Sequence, residues 1–210
     1  MIRVLIADDH PIVREGLKQI LSDTEDIVVV DEADSGSAVL SLTMRNNYDV
    51  ILLDISMPGR DGLEVLKELK QLKPKLSVLV LSMYPEEHYA VRVLRGGASG
   101  YLTKSSAPDE LISAIRKVAS GRKYISSTLA ERLTYELDRD ADKPLHEILS
   151  DREYQVMHML ATGKSVKEIA DELSLSVKTV STYRTRILGK MNIKNNAEIV
   201  LYAVQNKLVD

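Results

Sequence analysis

Two stretches limit the fold of this chain more than any others: "DVILLD" at residues 49–54 and "SVLVLS" at 77–82. A strand with one wet face alternates polar and apolar residues. These runs are almost unbroken apolar sequence, the pattern of strands covered on both faces in a parallel sheet. Similar short runs end near Ala7, Val30 and Tyr101. Segments with helical spacing lie between them. Ile12, Leu17, Ile20 and Leu21 fit one face, as do Leu63, Val65, Leu66 and Leu69, and then Leu111, Ile112, Ile115 and Val118. Strands alternating with helices from Ile2 to about Tyr124 predict a doubly wound α/β domain on a five-stranded parallel sheet.

The pattern changes after Tyr124. "SSTLAERLTYELD" reads as a helix, and the charged "DRDADKP" that follows, closed by Pro144, reads as a linker. Beyond it the chain is all helical. Ser150 with Glu153, and Ser165 with Glu168, have the spacing of capping boxes at helix starts. Ser176 caps a third helix running to about Met191, and Asn195 or Asn196 a fourth to about Asn206. The boundaries are then a first domain over 1–122, a helix and linker over 123–147, and a small all-α domain over 148–210. With 210 residues, two small domains are affordable. The chain has no Cys, which excludes disulfides and thiolate metal sites and fits a reducing, cytoplasmic setting. No charged start leads into a long apolar run, so no signal peptide is read. Nor does any apolar run approach the roughly 18 residues a membrane helix needs. A net charge of −3 argues against a protein basic throughout, but not against a local basic patch.

Open parallel sheets gather functional groups at the carboxyl ends of their strands. Asp8 and Asp9 follow the first strand and Asp54 ends the third. If those strands are neighbours, three carboxylates converge, and they stay ionised together only beside a cation. Mg²⁺ suits them, being hard and oxygen-seeking. Ser82 ends the fourth strand, Tyr101 lies in the fifth and Lys104 follows it. A metal, a lysine and a hydroxyl around a carboxylate can stabilise a phosphoryl group in transit, with Asp54 as the nucleophile. Each of these residues alone is ordinary as a solvated loop residue or cap; the joint arrangement is not.

In "ADDHP", "LLDISMPGRDG", Ser82 and "GYLTK", residues 1 to about 122 resemble the receiver domain of a two-component response regulator. The resemblance implies phosphorylation of Asp54. It assigns Mg²⁺ to Asp8, Asp9, Asp54 and the carbonyl of Ser56, and phosphoryl contact to Lys104. Ser82 and Tyr101 become the switch pair, Pro58 and Gly62 shape the loop after Asp54, and Ser56 and Tyr84 sit where phosphate lifetime is commonly tuned. Many receivers carry a cis proline after the lysine; here the residue is Ser105, where a cis bond costs roughly 2.5–4 kcal/mol. A metal-dependent phosphatase is a competing reading, but such enzymes often place an acid two residues after the nucleophile, and here that residue is Ser56.

The third C-terminal helix reads "SVKTVSTYRTRILGKM". Val177, Val180, Ile187 and Met191 share an apolar face. Lys178, Thr182 and Thr185 lie roughly opposite, flanked by Ser181 and Arg186, and no acid occurs from Ser176 to Lys194. A basic polar face after a short "SLS" turn suits a helix-turn-helix entering a DNA groove. The charge pattern alone also allows a solvated face, or a helical module that binds protein. Residues from about 148 to 208 resemble the LuxR-type DNA-binding domain, with Tyr183 where many relatives have His. Receiver plus this domain resembles the NarL/FixJ class of response regulators. The resemblance implies a transcription regulator rather than an enzyme. It implies a sensor histidine kinase, double-stranded DNA and RNA polymerase as partners, and a homodimer formed on phosphorylation or DNA binding. The implied DNA contacts are Lys178, Thr179, Ser181, Thr182, Thr185, Arg186 and Lys190.

Overall fold

The computed structural model describes residues 1–57, 62–126, 129–131 and 144–209. Pro58, most of the helix expected over 126–138 and nearly all of the expected linker lie outside these residues. The chain divides into two compact units, Met1–Leu133 and Thr134–Asp210.

The first unit alternates strand and helix as the sequence predicts: β1 (Ile2–Ala7), α1 (Pro11–Ser22), β2 (Ile27–Ala33), α2 (Gly36–Arg45), β3 (Val50–Asp54), α3 (Gly62–Leu72), β4 (Ser77–Ser82), α4 (Glu86–Arg95), β5 (Gly100–Thr103) and α5 (Pro108–Ala119). The five strands are all parallel, in the order β2-β1-β3-β4-β5. Parallel strands need right-handed crossovers. Because the order reverses at β1, the helices fall on both faces of the sheet. Val4, Ile6, Val50, Leu52, Leu79, Leu81 and Leu102 point to one face, where they pack with Leu17 and Leu21 of α1 and Leu111, Ile115 and Val118 of α5. Their alternates Leu5, Ile51, Leu53, Val78 and Val80 are equally buried, and α2, α3 and α4 contribute buried Val39, Leu40, Leu66, Leu69, Ala90 and Val93. Burial on both sides explains the unbroken apolar strands.

Ile12 does not join the α1 core stripe: it is 86% exposed. Five residues separate it from Leu17, which at 3.6 residues per turn sets it about 140° around the helix. Val13 takes that place against the core.

Among its described residues the second unit holds a 3₁₀ turn (Leu145–Ile148) and four helices: α6 (Asp151–Ala161), α7 (Val166–Glu172), α8 (Val177–Met191) and α9 (Asn196–Gln205). Both expected capping boxes form. Ser150 Oγ accepts from the Glu153 N–H while Glu153 returns to the Ser150 N–H, and Ser165 and Glu168 repeat the exchange. Ser176 caps α8 and Asn195 caps α9. α6 packs against α7, α8 and α9, and α7 against α8. No helix among the described residues is long and apolar enough to cross a membrane.

Candidate functional site

Strand register brings the acids together. Ala7 pairs with Leu53, so Asp8 and Asp54 emerge side by side from neighbouring strands. Ser82 pairs with Thr103, and the Lys104 N–H donates to the Ser82 carbonyl at 2.8 Å. Asp8 and Asp54 are each only 1% exposed. The Lys104 ammonium lies 2.6 Å from Asp8 Oδ2 and 2.7 Å from Asp54 Oδ2. The other Asp54 oxygen, Oδ1, accepts from the Ser56 N–H at 2.9 Å. Asp8 Oδ1 accepts from the His10 N–H at 2.9 Å, and Arg14 Nη1 donates to the Asp8 carbonyl at 2.7 Å.

The Lys104 ammonium pairs with two of the three carboxylates, Asp8 and Asp54. Burial pushes the Asp54 carboxyl above its ordinary range, against the pull of Lys104 and the Ser56 N–H. Burial also works against the Lys104 charge, but Asp54 and Asp8 outweigh it and hold the ammonium above its usual range. Asp9 Oδ1 and Ser56 Oγ are buried without a hydrogen bond. A buried, unsatisfied carboxylate oxygen is costly. Beside Asp8 and Asp54, it fits a hard dication that takes oxygen ligands. Asp8, Asp9, His10 and Asp54 each offer a donor atom within 4.8 Å of the others.

Beside this pocket Ser82 is fully buried, and its Oγ accepts from the Tyr84 N–H at 3.1 Å. Tyr101 is turned inward, 1% exposed, with its hydroxyl donating to the Tyr84 carbonyl at 2.7 Å. Burial pushes its phenol far above the ordinary range. The Tyr84 and Tyr89 rings stack, with centroids 4.5 Å apart. Ser82 and Tyr101 thus engage the same residue, through its N–H and its carbonyl. Sequence reasoning paired Ser82 with Tyr101 but missed Tyr84 as the link between them, because backbone groups leave no sequence signal.

The Lys104–Ser105 peptide is trans, as are all the described peptide bonds. A Ser106 N–H to Thr103 carbonyl turn at 3.0 Å carries the chain past the lysine instead. Gly62 has a steric reason. A Cβ there would stand 2.4 Å from Ile55 Cα, so α3 can begin this close to the end of β3 only at glycine.

In the second unit, α7, a turn with Ser174 at φ +51°, and α8 form a helix-turn-helix. Val180, Ile187 and Met191 face inward, but Val177 is half exposed at the start of α8. Lys178, Ser181, Thr182, Thr185 and Arg186 are exposed. Thr179 is half-buried, and its hydroxyl is 2.7 Å from Ser176 Oγ within the cap. The Thr182 and Thr185 hydroxyls donate back to the Lys178 and Ser181 carbonyls, leaving their acceptor lone pairs outward. Lys190 is different: its ammonium is 2.6 Å from Oε2 of buried Glu153. Arg184 donates to Asn196 Oδ1 at 2.6 Å and so ties α8 to α9.

Known proteins share both halves of this arrangement. Residues 4–116 match the family described as response regulator receiver domain, and residues 147–203 match the bacterial regulatory proteins of the luxR family. The response regulator GacA of Pseudomonas aeruginosa is 40% identical over 212 residues, covering 100% of this chain and 99% of its own. The response regulator UvrY of Escherichia coli K12 is 38% identical, covering 99% of this chain and 96% of its own. Among solved structures, RcsB from Salmonella enterica serovar Typhimurium, bound to promoter rprA in the presence of phosphomimetic BeF3−, aligns with TM-score 0.66 at 29% identity, over 96% of this chain and 97% of its own. The response regulator ChrA of a heme-sensing two-component system aligns with TM-score 0.53 at 32% identity, over 99% and 98%. With an acid-and-lysine pocket on a five-stranded parallel sheet in the first unit, a helix-turn-helix in the second and full-length likeness to named regulators, this chain belongs to the two-component response regulators of the NarL/FixJ class, which regulate transcription and are not enzymes.

Proposed function

We propose that Asp54 accepts a phosphoryl group from a sensor histidine kinase in the cytoplasm, and that this controls sequence-specific DNA binding by α8. The observation that carries the reading is the grip on Asp54: buried, with Oδ2 on the Lys104 ammonium and Oδ1 on the Ser56 N–H. Two donors aimed at one carboxylate orient it for attack and remain beside it to meet charge on the transferred group. Asp8, Asp9, Asp54 and the Ser56 carbonyl would hold Mg²⁺, which supplies charge neutralisation to the phosphoryl oxygens when bound. Lys104, already on Asp54 Oδ2, would contact the phosphoryl oxygens.

Phosphorylation adds about −1.5 to −2 charge and three acceptor oxygens. Ser82 is the hydroxyl positioned to donate to one of them. Doing so alters its bond from the Tyr84 N–H, and Tyr84 in turn holds Tyr101. The change biases a two-state element beside α4 and β5 toward a homodimer on DNA. Lys178, Ser181, Thr182, Thr185 and Arg186 meet the DNA, with Thr179 at the cap. Lys190 positions the helix through Glu153 and reaches phosphate only secondarily. RNA polymerase is the partner downstream. The boundaries 1–122, 123–147 and 148–210 serve as working limits of receiver, connector and DNA-binding domain.

The test is DNA binding by wild type and Asp54→Asn, with and without Mg²⁺ and an acyl phosphate. Wild type alone should tighten on its site. Equal tightening by both proteins overturns the role of Asp54.

A further inference from the structure

After α5 the chain returns to the edge of the sheet. The Tyr124 N–H donates to the Ser99 carbonyl at 2.8 Å, and Tyr124 forms a parallel bridge with Gly100 of β5. The fit is built into the sequence. A Cβ on residue 100 would stand 2.8 Å from Tyr124 Cβ and 3.0 Å from the Tyr124 carbonyl oxygen, so only glycine lets the chain lie this close. The Tyr124 hydroxyl donates to Glu110 Oε1 at 2.7 Å, in the first turn of α5, and Tyr124 packs on the core.

Two residues on, the Ser126 hydroxyl does two things at once. It donates to Glu86 Oε2 at 2.6 Å and accepts from the Leu129 N–H at 3.0 Å. The second bond caps a helical turn, in which the Ala130 N–H reaches the Ser126 carbonyl at 3.0 Å and Leu129 is buried. A hydroxyl that donates to a carboxylate is a better acceptor, so Glu86 strengthens that cap. Glu86 is the first residue of α4. It stands two residues past Tyr84, whose N–H and carbonyl engage Ser82 and Tyr101. An open cleft of about 430 Å³ borders Pro85, Glu86, Tyr101 and Ser126, which leaves Glu86 room to withdraw.

We propose that the Ser126–Glu86 bond is a latch between the phosphate switch and the connector. When phosphorylation shifts the Tyr84 loop, Glu86 leaves Ser126 and the first turn of the connector loses its strengthened cap. The inference rests on the reading of Asp54 as the phosphoacceptor. Its direction follows from the geometry. The bond is already at the short length typical of a hydroxyl on a carboxylate, so displacing either end weakens it. Tyr124 anchors the chain to β5 and α5, so Ser126 does not follow α4. Ser126 and Glu86 are positioning residues: neither belongs to the acid pocket, and they act through Tyr84.

Amide hydrogen exchange on the full chain reads the latch at Leu129 and Ala130, with Mg²⁺ and an acyl phosphate added or withheld. Phosphate incorporation is measured on the same samples. Phosphorylation of wild type should speed exchange at both amides by about tenfold, as for loss of a charge-assisted hydrogen bond, and Asp54→Asn should show no change. Glu86→Ala keeps the cap hydroxyl and removes its acceptor. Its exchange should be about tenfold faster before phosphorylation and indifferent to it. Glu86→Gln loses the charge at the start of α4 but keeps an acceptor oxygen, and it should restore most of the protection. Phosphate incorporated with no change at Leu129 and Ala130, or a Glu86→Ala chain that still answers phosphorylation there, overturns the latch and leaves Asp54 as phosphoacceptor. Absence of incorporation into wild type overturns that reading, and the latch with it.

Discussion

The ammonium of Lys190, near the end of α8, lies 2.6 Å from Oε2 of Glu153, in the first turn of α6. Glu153 is 3% exposed, and the same oxygen closes the capping box on the Ser150 N–H at 2.8 Å. One carboxylate therefore both closes the start of α6 and ties α8 to it.

Removing Lys190 leaves a buried carboxylate with only its cap bond. Such breaks cost about 3–5 kcal/mol when both partners are buried. Lys190 is 43% exposed, so solvent screens the loss, and about 1–2 kcal/mol is expected for Lys190→Met. Urea melts of the C-terminal amides by hydrogen exchange check this. Lys178→Ala should leave stability unchanged and reduce the salt dependence of DNA binding by about one charge.

The same pair sets an acid limb. Burial alone would raise the Glu153 carboxyl, but Lys190 and the Ser150 groups outweigh it and hold it below the ordinary value of 4.5. A folded-state value below the unfolded one means stability present above the unfolded value and lost as pH falls through the folded one. The C-terminal unit should therefore loosen below the ordinary carboxylate range. Glu153→Gln should be less stable at neutral pH and show a flatter acid limb. Protection of α6 amides as a function of pH measures both.

Asp8 and Asp54, both buried, share the single Lys104 ammonium, which leaves negative charge over unless a dication is bound. Asp54→Asn removes one buried charge and keeps the Lys104–Asp8 pair, so its thermal stability in chelator should equal or exceed wild type by about 1 kcal/mol. Adding Mg²⁺ at a hundred times its dissociation constant should stabilise wild type by about 2.7 kcal/mol, and Asp54→Asn by less. Melting curves with and without Mg²⁺ decide it; a wild type that gains nothing refutes the pocket as a cation site.

Ser82→Ala should still be phosphorylated but should transmit little. The phosphate-driven gain in DNA affinity is expected to fall by about tenfold, the equivalent of one charge-assisted hydrogen bond. Tyr101→Phe loses the bond to the Tyr84 carbonyl and the hydroxyl's contact with Ser82, at about 1 kcal/mol of receiver stability. Phosphate incorporation and DNA affinity are measured on the same samples.

Local physics was legible in the chain. Side-chain periodicity and side-chain capping act over a few residues, so the parallel sheet, the acids at its strand ends, both capping boxes and the caps of α8 and α9 could all be read before any folding was considered. What lay beyond reach depended on groups far apart in sequence. Lys104 meets Asp54 across 50 residues and Lys190 meets Glu153 across 37. Periodicity put Ile12 and Val177 on core faces, but helix placement against the rest of its unit left both exposed. Nothing in residue type told that Lys190 would turn toward a buried acid, or that Ser82 and Tyr101 would share the backbone of Tyr84. Strand register and helix packing settle such pairings, because a side chain finds its partner only after distant segments have been brought within a few ångströms.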